Sequence, residues 1–213
     1  MSDIRHEIDL ETWARRDHYR FFSRFEEPFF GVTVNLDCTL AYRYAAEQER
    51  SFFLYYLYRA LKAANRTEAF RYRIAEDKVF LYDKVHASPT INRSDGTFGF
   101  AYMDFNEDEE QFYADARQAS EAVKNSTGLI PSVSGQNVIH CSALPWLSFT
   151  SLSHARSFSF IDSCPKISFG KLSGEDGRKI MPVSVHVHHG LADGYHVGQF
   201  VETFQRLLNG EAL

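Results

Sequence analysis

Within FFGVTVNLDCT, Val32, Val34 and Leu36 alternate with Thr33, Asn35 and Asp37, the period of two that marks a half-buried strand. AFRYRIAEDKVFLYD reads as a hairpin, two β-rich runs about a Glu76-Asp77 turn. TFGFAYMDF, NVIHCSALPWLSFTS, PKISFGKL and KIMPVSVHVHH read as later strands. Between them the period changes to that of helices. Leu10–Phe22 forms a short one, and Thr39 is placed to cap a long one through LAYRYAAEQERSFFLYYLYRALKAAN, whose Phe52 to Leu61 half is apolar enough for burial. Asn106 with Glu109 three residues later resembles a capping arrangement for a helix ending near Lys124. Val197, Phe200, Phe204 and Leu207 set the apolar stripe of a terminal helix in GYHVGQFVETFQRLLN. This mixed order predicts an α+β layered fold. No repeat, low-complexity tract or Pro/Gly/Ser-rich linker divides the chain, so residues 1–213 are read as a single domain.

The segment VHVHHGLADGYHVGQF gathers four of the nine histidines, one aspartate and three glycines. On a strand His186 and His188 share one face, and His189 turns to the other or leaves the strand at its end. Asp193-Gly194 is a turn signal, with the carboxylate placed to cap the helix that follows. Three readings stand: metal ligation, proton transfer, or packing at a strand end. The H-x-H-H-x3-D spacing matches no zinc pattern and no cysteine lies nearby, so no metal is expected. His186, His188 and His196 read as hydrogen-bonded packing residues. His189, at the strand-to-turn junction beside Gly190, is the candidate general base, because a neutral imidazole accepts a hydroxyl proton near pH 7.

Composition narrows the partners. The chain has 23 Lys plus Arg against 28 Asp plus Glu, a formal charge of −5, and no basic cluster, which argues against nucleic acid and against an anionic membrane surface. Three scattered cysteines, Cys38, Cys141 and Cys164, read as reduced thiols. Neither an apolar leader nor a membrane-length apolar run occurs, so a cytoplasmic location is the expectation. Aromatics are abundant, with 19 Phe and 11 Tyr, enough for flat pocket or interface walls.

HHGLADGYHVGQF closely resembles the signature of the chloramphenicol acetyltransferases: two histidines, three residues, Asp-Gly, an aromatic, then His. WARRDHYRFF is similar to that family's N-terminal helix, SALPWLSFTS to its central strand, and the resemblance extends over nearly the whole chain. Dihydrolipoyl acyltransferases carry a related histidine motif but add a lipoyl domain and linkers, which this chain lacks.

The resemblance implies a two-layer α/β sandwich of the CoA-dependent acyltransferase type, with a mixed sheet and helices packed on one side. It implies a homotrimer with sites at subunit interfaces, acetyl-CoA as co-substrate, and tunnels for CoA and acceptor entering from opposite sides. His189 then deprotonates the acceptor hydroxyl, Ser142 stabilises the oxyanion, and Asp193 pairs with Arg15 to brace the turn. Ser168 stands where the family has a water-positioning threonine, and Lys171 matches a lysine that contacts CoA; Arg50 lies near the position of a second. Phe30 and Phe98 match aromatic acceptor-pocket positions. Departures fall in the pocket: His186 replaces a glutamine, Gly190 an alanine and His140 an asparagine, and SLSHARSFSFIDSCPK brings His154, Arg156 and Lys166 where apolar residues are usual. The implied reaction is O-acetylation of chloramphenicol or, by the same chemistry, of another small alcohol. A metal-binding histidine module is the remaining alternative.

Overall fold

The computed structural model describes residues 4–129, 135–159, 161–174 and 176–212. In chain order the elements are β1 (Arg5–Glu7), α1 (Arg16–Phe22), β2 (Phe29–Asp37), α2 (Thr39–Glu47), α3 (Phe52–Arg66), a 3-10 turn (Glu68–Phe70), β3 (Tyr72–Ala75), β4 (Lys78–Tyr82), β5 (His86–Asn92), β6 (Phe98–Phe100), α4 (Glu109–Lys124), β7 (Val138–Ala143), β8 (Lys166–Phe169), β9 (Ile180–His188) and α5 (Gly194–Leu208). Six strands form one sheet in the order β2-β9-β8-β7-β5-β6, and β1-β4-β3 form a second. In the large sheet the β5–β7 and β7–β8 pairs are parallel and the rest antiparallel, so the sheet is mixed as expected.

Strand alternation divides the large sheet into two unlike faces. Cys141, Ile167, Val185 and Val32 are successive register partners across β7, β8, β9 and β2, and they belong to the core. The helical layer closes on that face: Tyr56 of α3 and Phe204 of α5 both pack on Phe169 of β8, at ring-centroid distances of 4.7 and 6.3 Å. One residue further along each strand the row changes character. Ser142, Ser168, Ser184 and Thr33 form one polar register row, and His140, Lys166, His186 and Gly31 form the next. Gly31 is required there, because a Cβ would lie 2.2 Å from the His186 ring. The histidine strand therefore turns an apolar face to the core and a polar face away from it.

Several element boundaries differ from the expectation: the strands read in TFGFAYMDF and NVIHCSALPWLSFTS are confined to Phe98–Phe100 and Val138–Ala143, and four helix boundaries shift. The long helix is two helices: Glu49 adopts a left-handed φ of 51° and ends the first, and the Ser51 side chain caps the second by accepting from the Leu54 N–H at 3.4 Å. Thr39 lies inside α2 rather than capping it, and its hydroxyl accepts from the Lys179 N–H at 2.9 Å. The cap of α4 is Asp108; Asn106 accepts from the Asp108 N–H, one step earlier. Residues 10–15 precede α1 as turns, so only the second half of Leu10–Phe22 is helical. The hairpin turn at Glu76-Asp77 holds, with both residues at positive φ (53° and 57°), the geometry whose twist suits a two-residue hairpin.

Candidate active site

His189 N–H donates to the Pro28 carbonyl at 2.8 Å, extending the β2–β9 pairing one residue past the last strand residue. The chain then turns sharply, with Leu191 and Ala192 N–H both donating to the His188 carbonyl. Gly190 admits a close approach here, though of protein and not of a ligand: a Cβ would crowd the His188 ring and the Tyr19 Cα of α1 at 3.1–3.2 Å. The His189 imidazole lies parallel to the Phe22 ring at 4.0 Å and tilted against Phe30 at 4.5 Å. Two aromatic walls thus fix its plane. Among the described residues its buried Nδ1 has no hydrogen-bond partner.

Arg15 holds the turn from the other side. Its Nη1 donates to Asp193 Oδ2 at 2.6 Å, while Nη2 donates to the His189 carbonyl at 3.2 Å. The guanidinium is therefore shared between the carboxylate and the backbone of the candidate base, not spent bidentately on the carboxylate. The second carboxylate oxygen caps α5, accepting from the Tyr195 N–H at 3.0 Å and lying 2.8 Å from His196 Nδ1. Burial raises the Asp193 carboxyl, but the bonds from Arg15 and His196, with their charges, outweigh it and hold the group well below the usual carboxylate range. One aspartate ties the helix, the turn and α1 together.

His188 is a packing residue. Its Nδ1 accepts from the Gly190 N–H at 3.1 Å, its edge meets Phe29, and burial followed by the Arg156 charge lowers its pKa to about 4.

Ser142 lies elsewhere. It stands level with Ser184 across two strand spacings, and His189 is five residues further along β9. At ~3.3 Å per residue and ~4.8 Å between strands the two side chains are roughly 19 Å apart within one chain. Phe98 and His140 line the same cavity as Ser142, of about 620 Å³, whereas Phe30 sits with His189. Ser168, the register partner of Ser142, is fully buried with no partner for its hydroxyl among the described residues. A second cavity of similar volume, walled by Phe52, Tyr56, Leu172 and Met181, begins at Ala143, and Thr90 lines both. The two open from either side of the Ser142–Ala143 step. Lys171 is exposed between Gly170 and Leu172, two residues of that second wall. Arg50 is engaged by Glu110 and, at 3.2 Å, by Glu109, which explains it as a tie from the α2–α3 link to the start of α4.

Whereas Gly190 packs against His188 and Tyr19, four of the residues that depart from the resembled pattern face the Ser142 cavity. His140, His154, Arg156 and Lys166 line it together with Asp162, which bonds Lys166 Nζ at 2.5 Å. Burial, then the charge of Lys166, lowers the His140 pKa to about 4; burial, then His186, does the same for His154. Among the described residues no group of three or more His, Cys, Asp or Glu side chains is arranged to hold a metal ion. No helix there is long and apolar enough to cross a membrane. Phe22 and Asp162 were not singled out in the sequence. Phe22, seven positions after Arg15, was legible as two helical turns on the same face; Asp162, in an irregular segment, carried no such signal.

Comparison with known proteins adds independent findings. The family model described as chloramphenicol acetyltransferase matches residues 5–205. Chloramphenicol acetyltransferase 3 of Escherichia coli is 29% identical over 96% of this chain and 97% of its own. The Bacillus pumilus chloramphenicol acetyltransferase is 29% identical over 93% and 91%. A solved chloramphenicol acetyltransferase superposes with a TM-score of 0.88 at 31% identity, covering 96% of this chain and all of that one. A probable dihydrolipoamide acetyltransferase from Listeria monocytogenes shares the fold at a TM-score of 0.67 and 14% identity.

Proposed function

The chain belongs to the chloramphenicol acetyltransferase family, and from that premise we propose that it transfers the acetyl group of acetyl-CoA to a hydroxyl of chloramphenicol or of a related small alcohol. His189 removes the hydroxyl proton as the oxygen attacks the thioester carbonyl carbon. An alcohol is a weak nucleophile until that proton leaves, and a positioned base supplies about 10²–10⁴ in rate. The oxyanion that forms accepts a hydrogen bond from Ser142. Its collapse re-forms the carbonyl and breaks the carbon–sulfur bond, and the proton held by His189 passes to the departing CoA thiolate. Atoms and charge balance with no acyl-enzyme.

A site of this kind needs His189 and Ser142 within a few ångströms of one reacting centre, and one chain holds them roughly 19 Å apart. That separation carries the assembly half of the proposal: His189 of one copy works on an acceptor seated against Ser142 of another, in a closed homotrimer. Phe30 and Phe98 then meet across the same boundary as opposite walls of the acceptor pocket. CoA occupies the apolar cavity beyond Ala143, with Lys171 at its mouth and Ser168 behind Ser142. The Arg15–Asp193 pair keeps the base in register and takes no part in proton transfer. The working location is the cytoplasm, where acetyl-CoA is available, and neither nucleic acid nor membrane is a partner.

Release of free CoA thiol from acetyl-CoA, measured with chloramphenicol and a panel of alcohols, tests the reading. Acceptor-dependent release that His189→Ala removes supports it. Release from no alcohol at all, by protein that binds CoA, overturns it.

A further inference from the structure

Resting on this acetyl-transfer reading, we propose that the preferred acceptor is an alcohol that also carries an anionic group, a small hydroxy acid held through its carboxylate by Lys166. The wall of the Ser142 cavity contains Arg156 and Lys166, whose side chains are only 8% and 9% exposed. Among the described lining residues one carboxylate faces them: Asp162 Oδ2 is 2.5 Å from Lys166 Nζ and 3.9 Å from Arg156 Nε. Glu27, half exposed and outside that wall, meets Arg156. Behind the cavity, fully buried Arg73 donates to the carbonyls of Phe70, Tyr72, Gln136 and Val138, none of which carries a countercharge. Three cations therefore stand against one buried and one rim carboxylate.

A neutral acceptor closing on this wall removes water from Lys166 and Arg156 and returns nothing. An anion returns a charge-assisted hydrogen bond. The bonds of Lys166 Nζ to Asp162 and to the Cys164 carbonyl use two of its three donors. His154 Nε2, buried at the same wall, has no partner.

The sheet also sets the length of the acceptor. His140 and Lys166 are register partners, and Ser142 and Ser168 are the next pair on the same face, two residues on. Two strand residues span ~6.6 Å. With one strand spacing of ~4.8 Å across from β7 to β8, a hydroxyl at Ser142 and an anionic group at Lys166 are about 8 Å apart, the reach of a hydroxymethyl and a carboxylate across one aromatic ring together with the hydrogen bonds at its two ends. Phe98 and Phe100 on the cavity wall suit such a ring.

The test compares 4-(hydroxymethyl)benzoate with its methyl ester as acceptors, by kcat/KM with saturating acetyl-CoA. The acid is expected to be favoured about ten- to a hundred-fold, the range for a hydrogen bond to a charged group, and Lys166→Met is expected to collapse that ratio. A measurement on the unmodified protein guards against misfolding of the variant: 4-methylbenzoate, which has no hydroxyl, should compete with chloramphenicol far better than its methyl ester does. Equal use of acid and ester, with no inhibition by 4-methylbenzoate while chloramphenicol is acetylated, overturns this inference and leaves acetyl transfer standing. Failure of every alcohol removes both.

Discussion

Arg15 reaches Asp193 at 2.6 Å with one guanidinium nitrogen and the carbonyl of His189 at 3.2 Å with another. The link joins residues 178 positions apart and fixes the backbone of the candidate base from outside the site. Asp193→Asn is expected to lower kcat through a displaced His189 and to destabilise the fold by about 1–3 kcal/mol, the cost of stripping a partly buried guanidinium of its acceptor. The double variant with Arg15→Ala should fall short of the sum of the singles by at least ~0.5 kcal/mol. Additive unfolding energies in denaturant contradict the coupling.

The same pair predicts a pH dependence. The Asp193 carboxyl is depressed, so its stabilising contribution is complete above the unfolded value of about 3.9 and is lost as pH falls through the lower folded value. Below about pH 4 the melting temperature of the wild type should therefore fall faster than that of Asp193→Asn. Parallel melting curves over that range contradict the assignment.

His189→Ala should reduce acetyl transfer about 10²–10⁴-fold with CoA binding retained. His188→Ala should instead lower stability, because it opens space beneath Phe29 and removes the acceptor of the Gly190 N–H. The ratio of their effects on kcat and on the melting temperature separates the two roles. Full activity in His189→Ala contradicts the assignment of the base.

Chloramphenicol should be acetylated with a KM raised above that of a dedicated resistance enzyme. Its neutral body must cover Lys166 and Arg156, at about 1–3 kcal/mol for each polar group left unpaired. Steady-state kinetics decide, and a micromolar KM contradicts the polar wall.

Much of this was legible in the sequence, for identifiable reasons. Alternation through Val32–Asp37 and Val183–His188 located the two strands that carry the site, since burial on one face forces a period of two. The resemblance placed Arg15 beside Asp193, a contact that no local pattern reveals. What the sequence left open lies between elements. The break at Glu49 depends on a single left-handed residue inside an otherwise helical pattern, and the cavity-facing side of His154 and Arg156 depends on an irregular segment with no period. The separation of His189 from Ser142 follows mainly from the five residues that carry β9 beyond the level of Ser142, and from the strand order that sets β8 between β9 and β7.

Complementation between two inactive variants tests that separation most directly. His189→Ala and Ser142→Ala chains, each close to inactive alone, are co-expressed under different affinity tags, and mixed assemblies are purified through both. If each site takes His189 from one copy and Ser142 from the next, the doubly purified mixed trimers recover about a third of wild-type acetyl transfer, because one of the three boundaries in each joins two intact residues. Mixed assemblies no more active than either parent would contradict a site built between copies.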